Sequence, residues 1–134
     1  MTRLGAACGL VGVAGNVLGV VALRGVPSAY RPQTMPSWVA EVLAAPEAVT
    51  TSAIAFTIGL LALAGWALIL GSQLKTPAAR VAGAIIAVGA AFNAAGTVAP
   101  LVLALHLGPA CGAGADCLPA GLALLGMSLA LDAL

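Results

Sequence analysis

Charged side chains are scarce in this sequence. Asp, Glu, Lys and Arg make up 7% of its 134 residues, whereas hydrophobic residues make up 62%. A soluble domain carries about 25% charged residues, because its surface must stay in water. Together with a mean hydropathy of +1.14, this shortage excludes a water-covered globular domain and indicates a membrane protein.

Side chains that carry chemistry are also few. The single histidine, His106, cannot form a bis-histidine haem site, and no Cys/His cluster offers a zinc ligand set. The sequence has no phosphate-binding loop, no nucleophile elbow and no basic nucleic-acid patch. We therefore expect no catalytic residue, cofactor, metal ion or nucleic-acid partner, and a non-enzyme is favoured over an enzyme.

Long apolar runs, by contrast, are abundant. A hydrocarbon core of about 30 Å needs about 20 apolar residues in a helix, at about 1.5 Å each. The runs that qualify are 4–23, 50–70, 81–107 and 118–134. The sequence thus predicts an all-α membrane protein, a single domain of four transmembrane helices in two hairpins. Pro100 is expected to kink the third helix or to mark where it leaves the lipid.

The first run follows Arg3, as the hydrophobic region of a secretory signal peptide would. Such a region has about 7 to 15 residues, however, and the run here is longer. We therefore expect a retained transmembrane helix.

The basic residues predict an orientation, because short loops rich in Lys and Arg stay in the cytoplasm. Arg3, Lys75 and Arg80 fall on one side of the predicted spans, and Arg24 and Arg31 fall on the other. The acidic loop residues on that second side are Glu41, Glu47 and Asp116. The distribution predicts a multi-pass protein of the cell membrane with both termini cytoplasmic.

Asparagine occurs twice, each time at the same point of a repeated pattern. The segments GVAGNVLGVVA (12–22) and GAAFNAAGTVA (89–99) share six of eleven positions, including Asn16 and Asn93. Each amide lies about 18 Å into its span. Two interpretations stay open: the amides bond to each other as packing contacts, or they line a binding site or permeation path.

The same recurrence suggests an internal duplication that relates 1–71 to 81–134, with an axis along the membrane normal. Chance similarity is the alternative, because alanine and glycine are so common in this chain.

Glycines surround both asparagines on one helix face. These helix-packing candidates are Gly5, Gly9, Gly12 and Gly19 in the first span and Gly89 and Gly96 in the third. The GxxxG spacing occurs at Gly5/Gly9 and at Gly15/Gly19. Small residues at this spacing let helix backbones approach each other in lipid. We therefore predict packing against other membrane helices, in a homo-oligomer or a larger complex.

The loop between the first two spans predicts a short interfacial helix. Prolines precede Ser37, which can cap a helix over 38–45, and Tyr30 and Trp38 suit the membrane interface. The alternative is a lid over the outer mouth of the bundle. Pro46 and Glu47 then suit the first turn of the second membrane helix.

The other long loop contains Cys111 and Cys117 in PACGAGADCLPA. In an oxidising compartment two thiols at this spacing can close a small disulfide loop. A membrane thiol oxidoreductase is the alternative, although C-x5-C is not the CxxC spacing of exchange enzymes. Cys8 lies near the opposite face of the membrane and cannot join them.

Asp132 is the single charge inside a predicted span, about 21 Å from its outer end. A buried carboxylate in lipid is a functional hypothesis, but near a helix end it can reach interfacial water instead. With Asn16, Asn93 and Thr97 it forms the intramembrane polar set of a small transporter or hydrophobic-ligand binder.

Three functional hypotheses remain: a non-catalytic helix-packing subunit or homo-oligomer, which we favour; the small transporter or ligand binder; and the thiol oxidoreductase. These residues satisfy no family motif.

Overall fold

A computed structural model describes residues 3–24, 42–107, 119–120 and 123. Within these residues the chain is helical and has no strand, which confirms the all-α class. Several predictions lie outside the described residues: the interfacial anchors Tyr30 and Trp38, the cysteines Cys111 and Cys117, most of the fourth span, and Asp132. Of the predicted interfacial helix, only 42–45 are described, and 42–44 are helical.

The described helices follow one another along the chain with little between them. They are α1 (Arg3–Ala22), α2 (Pro46–Gln73), α3 (Pro77–Gly96), α4 (Val98–Val102) and a π-helix (Leu103–Leu107). Three helical stretches are long and apolar enough to cross a membrane: Arg3–Ala22, Pro46–Gln73 and Pro77–His106. The fourth transmembrane helix and the pairing into two hairpins stay predictions.

Capping residues set the ends of α2 and α3. Pro46 lies in the first turn of α2 with Glu47, as predicted, because proline needs no amide partner there and an acid suits the helix dipole. Thr76 caps α3, since its hydroxyl accepts a hydrogen bond from the Ala79 amide at 3.2 Å.

The loop expected between the second and third spans is therefore much shorter, with 74–76 alone joining the helices. Hydropathy marks the lipid-exposed part of a helix, whereas caps mark its ends, so both helices extend beyond the apolar runs.

Helix α2 lies between α1 and α3. Residues of α1 meet α2 in reverse order, because Gly19 contacts Phe56, Gly15 contacts Gly59 and Gly12 contacts Leu63. In the same way α2 and α3 run antiparallel, since Gly71 meets Ala79, Ala67 meets Gly83 and Thr57 meets Thr97. Contacts between α1 and α3 are minor. The two outer helices therefore run in the same direction on either side of α2.

Small residues fill the contacts between these helices, and large aliphatic side chains cover the outside. The buried hydrophobic residues are Val42, Val49, Ala53, Ala67, Ala87, Ala94 and Ala104. Leu10, Val13, Ile58 and Ile85, by contrast, are each more than half exposed. In lipid, which is as apolar as leucine, no hydrophobic force draws large side chains inward. The surface therefore suits a hydrocarbon environment.

The third predicted span is interrupted near Pro100. Regular helix ends at Gly96, Thr97 forms a turn, and α4 and the π-helix follow. Proline lacks an amide hydrogen and crowds the turn before it. The interruption thus lies one turn ahead of Pro100, where this clash is expected.

Candidate functional site

One close approach between helices lies along the glycine face of α1. A Cβ atom built on Gly15 would lie 2.7 Å from both the Gly59 Cα and the Ala55 carbonyl oxygen, and one on Gly12 would lie 2.6 Å from Leu63 Cγ. Real Cβ atoms do not come this close to other atoms, so only glycine fits. The α1 and α2 backbones are therefore in direct contact, and we call this contact the α1–α2 seam.

The seam extends over most of α1. Gly5 is buried, and a Cβ on Gly9 would lie 3.2 Å from Trp66 Cδ1. At the other end, a Cβ on Gly19 would lie 2.8 Å from the Phe56 ring. The predicted packing residues Gly9, Gly12 and Gly19 thus lie towards α2, whereas a bond between Asn16 and Asn93 would place this face against the third span.

A buried hydroxyl strengthens one end of the seam. Ser52 is 2% exposed, and its Oγ donates a hydrogen bond to the Gly19 carbonyl oxygen at 3.0 Å. This contact is possible because Gly19 has no side chain to hold the helices apart. Sequence reasoning missed Ser52, although Ser52, Phe56 and Gly59 recur at helical spacing and mark one face of α2.

A second seam joins α2 to α3. A Cβ on Gly83 would lie 2.6 Å from the Ala67 carbonyl oxygen, and one on Gly71 would lie 2.8 Å from the Ala79 carbonyl oxygen. These residues form two small-xxx-small pairs, Ala67/Gly71 and Ala79/Gly83, on facing helices. This α2–α3 seam was not predicted from the sequence, although the small-xxx-small spacing of these residues indicates it.

Thr97, one of the predicted intramembrane polar residues, meets Thr57 across the α2–α3 interface with 2.5 Å between their hydroxyl oxygens. Thr57 also lies 2.8 Å from the Ala53 carbonyl oxygen, and Thr97 lies 2.7 Å from that of Ala94. Each hydroxyl has one hydrogen to donate. The three contacts would need three hydrogens, but the two hydroxyls have only two. One hydroxyl hydrogen is therefore shared between the other hydroxyl and a helix carbonyl oxygen.

The two asparagines do not bond to each other. Asn16 is half-buried beside Gly59, and its Nδ2 donates to the Gly12 carbonyl oxygen at 2.8 Å. Asn93 is exposed, and its Nδ2 donates to the Gly89 carbonyl oxygen at 3.1 Å. The predicted Asn16–Asn93 contact is therefore wrong.

The physical reason is that α2 lies between α1 and α3, and each amide donates one N–H to the carbonyl four residues back in its own helix. The register does place Asn16 beside Gly59 and Asn93 one turn from the Thr57–Thr97 contact, so their levels are similar. The similar depths of Asn16 and Asn93, which the sequence predicts, do not show that α2 lies between them. A single site lined by both amides is thus not formed.

The glycines of α3 differ from each other. Gly96 is buried, but a Cβ on Gly89 would meet no atom within 4 Å. Gly89 and Asn93 are both exposed, on a part of the α3 surface that α2 does not cover. Within the described part of the chain, Gly89 therefore contacts no other helix.

The remaining reactive side chains do not assemble into a site. Cys8 is a free, half-buried thiol, and a Cβ on Gly65 would lie 3.8 Å from its Sγ. His106 is exposed. Across 3–24 and 42–107, no group of three His, Cys, Asp or Glu side chains could hold a metal ion. Every buried side-chain nitrogen or oxygen of that part of the chain has a hydrogen-bond partner.

Comparisons with protein-family models, with curated proteins and with solved structures found no significant match to this chain. The geometry of the two seams is therefore the basis for a functional proposal.

Proposed function

We propose that this chain is a non-catalytic, multi-pass protein of the cell membrane whose role is to associate with other membrane helices, as a homo-oligomer or as a subunit of a larger complex. The observation that carries the proposal is that α2 is in backbone contact with a helix on each side, at glycines where the neighbouring backbone leaves no room for a side chain.

Helices in a membrane need a driving force for association that differs from the one in water. Between helices in lipid, close packing and hydrogen bonds replace the hydrophobic effect. The α1–α2 seam supplies packing through Gly12, Gly15 and Gly59 and a hydrogen bond through Ser52. A GxxxG pair, Gly15/Gly19, lies within this seam. The chain is thus suited to hold helices together in a membrane.

Charge supports an orientation with both termini in the cytoplasm. The antiparallel register brings the start of α1, the end of α2 and the start of α3 to one end of the molecule. Exposed Arg3, Lys75 and Arg80 lie there, whereas exposed Arg24 and Glu47 lie at the other end. By the positive-inside rule, the first end faces the cytoplasm.

Cysteine labelling in intact cells tests the membrane topology. In a background where Cys8, Cys111 and Cys117 are serine, a membrane-impermeant maleimide should label Arg24→Cys directly. It should label Lys75→Cys only after the membrane is permeabilised. Equal labelling of both positions in intact cells contradicts a membrane-spanning chain, and the reverse pattern contradicts the orientation.

The mass of the protein in mild detergent tests the association role. We expect a defined assembly larger than the 12.9 kDa monomer. A monomer that drives solute uptake in proteoliposomes would contradict the proposal and favour the transporter. The transporter alternative lacks a single site lined by Asn16 and Asn93. The thiol oxidoreductase alternative depends on Cys111 and Cys117, which lie outside the described residues.

A further inference from the structure

We propose that the outer face of α3, centred on Gly89 and Asn93, binds the same face of a second copy of this chain. We call it the Asn93 face. The inference names the partner of the association role proposed above, and it rests on the membrane location proposed there.

The first observation is a carboxamide on an otherwise apolar surface. Asn93 is exposed, and its neighbours on this side of α3 include Ile85, Ile86 and Phe92, which are 67%, 56% and 40% exposed. No charged residue occurs between Arg80 and the end of the described π-helix. Lipid tails would therefore surround this amide unless another polar group covers it.

The unused donors and acceptors of the Asn93 carboxamide define what a covering polar group must supply. A carboxamide has two N–H donors and one oxygen acceptor. Among the described residues, Asn93 uses one N–H on the Gly89 carbonyl oxygen. One N–H and the Oδ1 atom are left for a neighbour, and hydrocarbon offers no partner for either of them. The missing partner must therefore both donate and accept.

The second observation is open space next to this amide. Gly89 precedes Asn93 by one helical turn, and a Cβ at Gly89 would meet nothing within 4 Å. By contrast, Gly12, Gly15, Gly59 and Gly83 each have a neighbouring helix within that distance. A further helix backbone can therefore approach α3 closely at Gly89, as α2 approaches α1 at Gly15.

A second copy meets both requirements. The carboxamide is self-complementary, because the N–H of one copy can donate to the Oδ1 of the other and the reverse. A two-fold axis along the membrane normal places the two Asn93 side chains at the same depth, since both copies have the same topology. The face carries no charge, so the two copies do not repel each other.

Disulfide trapping in native membranes tests the interface without removing the amide. In the background lacking native cysteines, Ile86→Cys places a thiol on the Asn93 face. Ala91→Cys is the control on the opposite face of α3, because it is exposed but points about 160° away from both Gly89 and Asn93. With two differently tagged copies co-expressed, oxidation should yield a dimer carrying both tags from Ile86→Cys and little from Ala91→Cys.

The amide itself is tested by adding Asn93→Leu to Ile86→Cys. The association constant of the dimer should fall about threefold for one lost interhelical hydrogen bond and about eightfold for a symmetric pair, and the trapped dimer fraction should fall with it. Asn93→Gln keeps the chemistry and should retain most of the dimer, which controls for misfolding. An unchanged dimer fraction in Asn93→Leu overturns the role of the amide.

Three results overturn the proposal itself. An adduct with a protein of different mass assigns the Asn93 face to another partner. A thiol at position 86 that forms no adduct and resists a lipid-soluble maleimide assigns it to residues 108–134 of the same chain. A thiol at position 86 that forms no adduct but reacts freely with this maleimide shows that only lipid covers the Asn93 face. The labelling of positions 24 and 75 separates each of these results from failure of the membrane proposal.

Discussion

Gly15 of α1 lies directly against Gly59 of α2, so that a Cβ atom on Gly15 would lie 2.7 Å from the Gly59 Cα. This backbone contact fixes the spacing of the first two helices, and it also brings Ser52 within hydrogen-bond distance of the Gly19 carbonyl. The close approach therefore has consequences along the whole seam, and each can be measured.

Replacing Gly15 with alanine should destabilise the protein by about 1 to 3 kcal/mol, because the new methyl group overlaps backbone atoms that cannot move aside. Gly65→Ala is the matched control, since a Cβ there would meet only the Cys8 Sγ within 4 Å, at an ordinary contact distance of 3.8 Å, and alanine favours helix by about 1 kcal/mol over glycine. Thermal unfolding in detergent should show a lower Tm for Gly15→Ala only. Similar Tm changes for the two variants would contradict the seam.

Ser52→Ala should reduce the free energy of unfolding by about 0.6 to 2 kcal/mol, because it removes a buried hydrogen bond between two helices. Ser72 provides the control: it is exposed, and its hydroxyl donates to Ile69 within the same helix at 2.7 Å. Steric trapping or denaturant titration in micelles can compare Ser52→Ala with Ser72→Ala. A loss of equal size in both would mean that Ser52 contributes nothing specific.

Thr57 and Thr97 should be energetically coupled. Thr57→Val and Thr97→Val each remove a hydroxyl while keeping the shape, so the double variant should lose less stability than the two single losses combined. We expect a coupling of about 0.6 kcal/mol, the average for interhelical hydrogen bonds in membranes. Additive losses in this double-mutant cycle would show that each hydroxyl serves only its own helix.

Lys75→Gly should stabilise the turn between α2 and α3. Lys75 has a φ of 54°, in the left-handed region that costs a non-glycine residue about 1 to 2 kcal/mol. Lys75→Ala keeps that cost and removes the same charge, so it separates the backbone effect from the electrostatic one. A Tm that rises equally in both variants would attribute the gain to charge instead.

Some features of the fold could be predicted because they depend on local composition. The helical class, the three apolar helices that the structure describes and the interruption near Pro100 follow from run lengths and from the chemistry of proline. The first-turn position of Pro46 and Glu47 is equally local, since a missing amide and a negative charge both suit the start of a helix.

The candidate site was harder to predict, because it depends on which helices are neighbours. Asn16 and Asn93 have matching sequence surroundings and similar levels, yet one is half-buried against Gly59 and the other is exposed on the surface of α3. The same residue pattern thus has two different environments, and only the position of α2 distinguishes them.

The sequence alone determined that this chain is apolar, helical and rich in small residues at helical spacing, because hydropathy and glycine content are properties of the residues themselves. Only the tertiary structure decided that α2 lies between α1 and α3, that the Gly12–Gly19 face meets Gly59, and that Ser52 and Thr57 provide the contacts between helices. The physical reason is that packing between apolar helices depends on matching shapes within a few tenths of an ångström, and hydrophobicity is the same on every side.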